Sequence, residues 1–190
     1  VIEDAAQAHG ASLKEGRYAG SLGDLGIFSM QQSKLLTCGE GGIITTQDDR
    51  LAELAWSLRH VGREPKGLWY EHFRLGWNYR MTELQAAILL TQLAKMGAQN
   101  ATREKNVEYF FSRLRRIPGI EPTRQNMKAE RKVYYLVILR YDGGQWDGLP
   151  RDWFVEALKA EGMPVLSGYS FPTYENPVFQ QIDFNSPGSP

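Results

Sequence analysis

One cysteine, Cys38, stands in 190 residues, so no disulfide can close within the chain and zinc sites built from several thiolates are excluded. The three histidines, His9, His60 and His72, lie in different segments, and none belongs to an H-E-x-x-H or His-x-Asp pattern. Each reads as a structural histidine, and no metal site is expected. An excess of either charge is also missing. Lys+Arg and Asp+Glu both total 22, and a formal net charge of +0 removes the basic surplus that a nucleic-acid surface or an anionic membrane requires. No apolar run approaches the roughly 18 residues of a membrane span. No charged segment followed by an apolar one opens the chain as a signal peptide would. The expectation is a soluble, cytoplasmic protein. What the sequence does hold is core material: 42% hydrophobic with 12% aromatic residues suits a globular domain and is too rich for a disordered chain.

The ends read as those of an internal fragment, since Val1-Ile2-Glu3-Asp4 enters like a strand and Asp183 to Pro190 trails off in turn formers. Val1-Ile2 followed by two carboxylates has the pattern of a buried strand ending where α/β proteins place their chemistry. Ile27 to Met30 and Gly42 to Thr46 read as strands, and Asp48-Asp49 leads into a helix from about Arg50 to Arg59. Residues 60–80 are aromatic and irregular. Thr82 and Gln85 match a capping box, opening a helical pattern that runs past a break expected near Gly97 to Leu114, where Pro118-Gly119 stops it. Val133 to Tyr141 is strongly β in composition. Asp152 to Glu161 reads as a helix with Trp153, Phe154, Ala157 and Leu158 on its apolar face, and Met163 to Leu166 as a further strand. The organisation expected is α/β: residues 1–81 as the second half of a layered domain, 82–117 as a connecting helix or pair, and 118–190 as a small α+β domain.

Glycine is abundant, yet Gly20, Gly23 and Gly26 are spaced three by three rather than as G-x-G-x-x-G, and Gly39-Glu40-Gly41-Gly42 lacks a following Lys-Ser/Thr. Neither is a phosphate loop, and no G-x-S-x-G elbow marks a serine hydrolase. A different grouping carries chemistry. Asp4 and Gln7 follow the first strand, Ser29 closes the next, and Lys34 lies five residues on, between apolar segments where a decorative charge is poorly placed. A lysine held off the surface can offer a free amine to an aldehyde. A carboxylate can keep a pyridinium charged, and a hydroxyl can hold a phosphate. Lysine, aspartate and serine are what pyridoxal phosphate asks of a protein. Cys38, though close to Lys34, reads as a small buried residue.

Ile2-Glu3-Asp4-Ala5-Ala6-Gln7-Ala8-His9-Gly10, Gly20-Ser21-Leu22-Gly23-Asp24, Phe28-Ser29 with Lys34, Gly39 to Gly42, and Gly76-Trp77-Asn78-Tyr79-Arg80-Met81-Thr82-Glu83-Leu84-Gln85 stand in one order. Together they resemble the DegT/DnrJ/EryC1/StrS sugar aminotransferases, a family of fold type I with the aspartate aminotransferase architecture. The resemblance implies pyridoxal 5'-phosphate as cofactor, bound to Lys34 through a Schiff base, with Lys34 then shuttling a proton between the donor carbon and the cofactor. It implies Asp4 on the pyridinium nitrogen, Gln7 against the ring or its 3-oxygen, and Ser29 on the phosphate. Asn78 would reach the phosphate of the neighbouring subunit's cofactor, giving a homodimer with shared active sites. Arg80 would serve either the donor's carboxylate or its own loop.

Around the lysine, Met30-Gln31-Gln32-Ser33 replaces the family's more usual Phe- and Pro-containing stretch. This variant, with Gly148 to Asp152 and Gly168 to Tyr174, resembles the subgroup that aminates keto-cyclitols of the scyllo-inosose type. The function so implied is transfer of an amino group from glutamine or glutamate to a keto-cyclitol in aminoglycoside biosynthesis. A nucleotide-linked keto-sugar is the alternative acceptor. A non-catalytic homologue that senses cofactor or sugar is the alternative from another class.

Overall fold

The computed structural model describes residues 1–124 and 128–182. The tail from Asp183 to Pro190 lies outside the described residues. Four short strands open the chain: β1 (Ile2–Asp4), β2 (Ser12–Leu13), β3 (Leu25–Ser29) and β4 (Gly42–Thr45). β1, β3 and β4 form one sheet in that order. β1 runs parallel to β3 with Asp4 opposite Ile27, and β3 runs antiparallel to β4 with Ser29 opposite Gly42. Asp4 and Ser29 therefore finish neighbouring parallel strands at the same edge of the sheet, the carboxyl end at which open α/β sheets build their sites. Gly26 lies inside β3, where a Cβ would collide with the backbone of Gly20. The glycine series thus serves close chain packing, in keeping with its failure as a phosphate loop.

Helix α1 (Asp49–Arg59) is capped by Asp48, whose carboxylate accepts the Arg50 and Leu51 N–H groups at 2.8 and 3.3 Å. Helix α2 (Glu83–Leu114) begins at Thr82 with both arms of the capping box formed. It does not break at Gly97. A glycine costs about 1 kcal/mol in a helix interior, and here Leu89 and Met96 before it and Asn100, Val107 and Leu114 beyond it form one buried or half-buried stripe at near-heptad spacing. That anchored stripe outweighs one weak position. Leu89 of α2 joins Met30, Leu36 and Cys38 in a buried cluster, with Phe28, Met81 and Met96 packed against it. The core of this part thus lies directly beneath the turn that carries Lys34.

The chain forms two compact units, Val1–Arg116 with Pro122–Leu139, and Ile117–Glu121 with the chain from Arg140. In the first, β6 (Ala129–Arg131) pairs antiparallel with β2. β5 (Ile120–Pro122) pairs with β7 (Leu139–Tyr141). The long strand read from Val133 to Tyr141 is confined to β7. Its described partner is three residues long, and the Thr123 N–H, bonded to the Ile138 carbonyl at 3.2 Å, carries the contact one residue beyond Pro122. In the second unit a 3-10 helix (Gly143–Trp146) precedes α3 (Arg151–Ala160), and Phe154 packs on Tyr141 and Trp146 at ring-centroid distances of 5.0 and 5.3 Å. The face of α3 is corrected accordingly: Val155 is its buried residue, while Trp153 is 73% exposed. Met163 to Leu166 is not a strand, because Pro164 interrupts it and Val165 N–H bonds locally to the Met163 carbonyl. A second 3-10 helix (Thr173–Glu175) and α4 (Pro177–Gln181) follow.

Candidate active site

A cleft of about 400 Å³ opens beside the end of β1. Asp4 and Gln7 form one wall, and Arg131, Lys132, Val133 and Tyr134 the other. The second wall arrives because β6 docks on β2, with Ser12 opposite Arg131, which carries the following residues across to Asp4. Asp4 is exposed and accepts the Ala6 N–H at Oδ1, 3.0 Å away. No cation pairs with it among the described residues, so its second oxygen is open to a ligand.

Ser29, Lys34 and Asn78 do not line this cleft. Ser29 Oγ accepts the Gln31 N–H at 3.3 Å, an arrangement that turns the chain out of β3. Lys34 N–H then closes on the Gln31 carbonyl at 2.9 Å. The Lys34 side chain is half-buried, and its Nζ stands 4.5 Å from the centre of the Tyr135 ring. Val133 and Tyr134 on the cleft are thus contiguous with the residue that faces the lysine. Asn78 sits apart, in the loop after α1, where it bridges His60, and its Oδ1 accepts the Arg80 Nε–H at 2.8 Å. Arg80 is accordingly engaged with its own loop. The sequence marks no site role for residues 131–135, of which 133–135 fall at the start of the strand expected from Val133 to Tyr141. Two adjacent tyrosines in a β-rich run were the signal that could have drawn attention to them.

His9 is buried, 2% exposed, and its ring contacts Phe28 at 5.4 Å between centroids. Its Nε2 lies 2.9 Å from the Ser29 carbonyl. A carbonyl only accepts, so Nε2 carries the hydrogen, and Nδ1 is left buried without a partner. From α2, Asn100 Nδ2 donates to the His9 carbonyl at 2.8 Å. A chain of contacts thus runs from the long helix through His9 to the end of β3. Burial pushes the His9 pKa below its ordinary 6.5; the Ser29 bond opposes this and the Lys34 charge adds to it. A ring that is neutral when folded takes a proton on unfolding. Stability should therefore decline as pH falls through and below 6.5, down to the depressed folded value. In His9→Gln the melting temperature should vary less than in the parent between about pH 7 and about pH 5. An unchanged pH slope would show that His9 does not set it.

Cys38 is buried and its Sγ lies 3.2 Å from the Glu40 carbonyl. Burial, with a smaller contribution from the Glu40 charge, pushes its thiol pKa up, away from a reactive thiolate. No group of three or more His, Cys, Asp or Glu suited to a metal occurs among the described residues. No described helix is long and apolar enough to cross a membrane.

The fold has solved counterparts. S. venezuelae DesV superposes with a TM-score of 0.82 at 34% identity over 94% of this chain and 45% of that one. The architecture is that of the fold type I pyridoxal-phosphate-dependent transferases. Residues 1–189 match the DegT/DnrJ/EryC1/StrS aminotransferase family, and the chain belongs to that family. Two relatives from Streptoalloteichus tenebrarius match 94% of the chain each. One, named as a candidate L-glutamine:3-amino-2,3-dideoxy-scyllo-inosose aminotransferase, is 40% identical over 185 residues. The other, L-glutamine:2-deoxy-scyllo-inosose aminotransferase, is 37% identical over 189 residues. GDP-perosamine synthase of Caulobacter vibrioides is 39% identical over 165 residues, covering 86% of this chain and 43% of its own. The chain spans 44% of the length of each Streptoalloteichus relative.

Proposed function

We propose that the protein containing this chain is a cytoplasmic, homodimeric aminotransferase that moves an amino group from glutamine or glutamate to a keto-cyclitol of the scyllo-inosose type. The observation that carries the reading is the placement of Asp4 and the Ser29–Lys34 turn at the ends of adjacent parallel strands, in a chain about as identical to the scyllo-inosose enzymes as to any relative named above. A nucleotide-linked keto-sugar is the second reading, favoured by the GDP-perosamine synthase match.

The donor set fits pyridoxal phosphate. The group asks for a carboxylate, an amine and a hydroxyl, and Asp4, Lys34 and Ser29 supply one each, Asp4 being the one that lines the cleft of about 400 Å³. When bound, pyridoxal phosphate supplies an electron sink that makes a proton on the donor's α-carbon removable. Asp4, whose Oδ1 accepts the Ala6 N–H, would keep the ring nitrogen charged, Gln7 would lie against the ring or its 3-oxygen, and Ser29 would hold the phosphate. Lys34 would hold the group covalently and, as a free amine, would take the proton from the donor's α-carbon and return one to the carbon that becomes the new amine's.

Asn78 serves the partner's cofactor phosphate in this reading. The exposure of Trp69, Trp77 and Tyr79 on the same loop, at 77, 60 and 73%, supports a covered surface there. Residues 1–81 then belong to the large cofactor-binding domain, 82–117 to the connecting helix and 118–190 to the small domain. The test is made on the full-length protein. It is loaded with pyridoxal phosphate, reduced with borohydride, digested and weighed. The expected mass increment is on the peptide carrying Lys34. A folded dimer that takes no label overturns the aminotransferase reading.

A further inference from the structure

The departure around the lysine has a structural counterpart on the far side of the chain. Ser33 N–H and Ser33 Oγ both bond to Gln31 Oε1, at 2.8 and 2.6 Å. The backbone N–H can only donate, which fixes that atom as the amide oxygen and commits the single Ser33 hydroxyl hydrogen to it. Ser33 Oγ is also 2.7 Å from Tyr135 Oη. With the serine hydrogen spent, the phenol must donate. Tyr135 is thus pinned at its hydroxyl by Gln31 and Ser33, and its ring face is turned to the next residue, Lys34, whose Nζ lies 4.5 Å from the ring centre.

A ring free to rotate would hold an ammonium group weakly. A ring fixed at its far end presents its negative face in one place. We propose that Tyr135 is a positioning residue for Lys34, with Gln31 and Ser33 as its anchor, parking the amine beside the cofactor whenever it is not covalently engaged. Gln31 and Ser33 therefore have a purpose beyond filling space, whereas Met30, 2% exposed in the core cluster, is packing. The role rests on the aminotransferase reading, because only there does Lys34 alternate between a bonded and a free amine. The geometry itself does not depend on that reading.

The experiment separates the two. Lysines of the full-length protein are reductively dimethylated with ¹³C-formaldehyde and a borane reductant, and the Lys34 methyl signal is assigned by its disappearance in Lys34→Arg. A methyl group over an aromatic face is displaced upfield by the ring current. The expected result is an upfield Lys34 signal without cofactor, lost in Tyr135→Leu and weakened in both Ser33→Ala and Tyr135→Phe, each of which keeps the ring but removes its anchor. In parallel, the rate at which unmodified protein captures pyridoxal phosphate on Lys34 should fall about two- to fivefold in Tyr135→Leu and by less in Tyr135→Phe. A Lys34 signal at the position of the solvent-exposed lysines in the parent protein overturns the role, even if Tyr135→Leu fails to fold. So does a capture rate unchanged in a folded Tyr135→Leu. Absence of capture in the parent overturns the aminotransferase reading and with it the role, while the upfield signal would still report the contact.

Discussion

Replacing Lys34 by alanine in the full-length protein should lower turnover by about 10²- to 10⁴-fold, the range expected when a positioned proton carrier is removed. It should also abolish covalent cofactor. Lys34→Arg separates chemistry from charge. Arginine keeps a cation for the Tyr135 face, but its guanidinium stays protonated and cannot link to an aldehyde. It should be as inactive as the alanine variant and no less stable than the parent. The loss of fold from Lys34→Ala should be small, because its side chain makes one cation–π contact, and such contacts contribute about 0.5–1 kcal/mol near a surface. If the sites are shared, protomers carrying Lys34→Ala mixed with protomers carrying Asn78→Ala should regain tight cofactor binding in one site of each mixed dimer. Full turnover in Lys34→Ala would sink the assignment.

The largest effect on stability is expected at Gly62→Ala. Gly62 is buried with φ +78°, and a Cβ there would collide with the carbonyl oxygen of Arg74, which is main chain and cannot swing aside. The site is also a knot. The Gly62 carbonyl accepts from Phe73 and Arg74 N–H at 2.8 and 3.2 Å, and its own N–H donates to the Ser57 carbonyl at 2.8 Å. The left-handed conformation alone costs about 1–2 kcal/mol with a side chain, and displacing the loop adds to it. A melting temperature at least roughly 4–8 °C lower is expected for a domain of this size, at about 2–4 °C per kcal/mol. Gly16→Ala is the control, since that glycine shares the positive φ but has open space around its missing Cβ. Equal losses in the two variants would show that conformation, not the Arg74 collision, sets the cost. If Asn78 serves a partner's cofactor as proposed, Gly62→Ala, on the same loop, should also weaken cofactor binding.

Local signals in the sequence were faithful where a feature is made by residues near one another. Thr82 and Gln85 cap each other three residues apart, and β1, β3 and β4 each follow from a short apolar run with a turn beside it. The positions of Asp4 and Ser29 at strand ends were legible for the same reason, since each closes a short apolar run. What depends on distant partners was not. Whether Val133 to Tyr141 forms a ladder depends on the length of β5, and Met163 to Leu166 had no ladder to join. The continuity of α2 through Gly97 depends on buried residues on both sides of it. The cleft wall opposite Asp4 exists because β6 finds β2 across more than a hundred residues, and no spacing within either segment announces that pairing. Tyr135 came into view only with it.

Cys38 is the only thiol in these 190 residues, buried in the cluster under the turn that bears Lys34 and four positions from it. It supplies a built-in clock for that turn. An alkylating reagent can reach Cys38 only when the packing of Met30, Leu36 and Leu89 loosens, so the rate of its modification counts openings of the ground beneath Lys34. Ligands that settle the turn should slow the clock, and they can be ranked by that slowing with no assay of turnover.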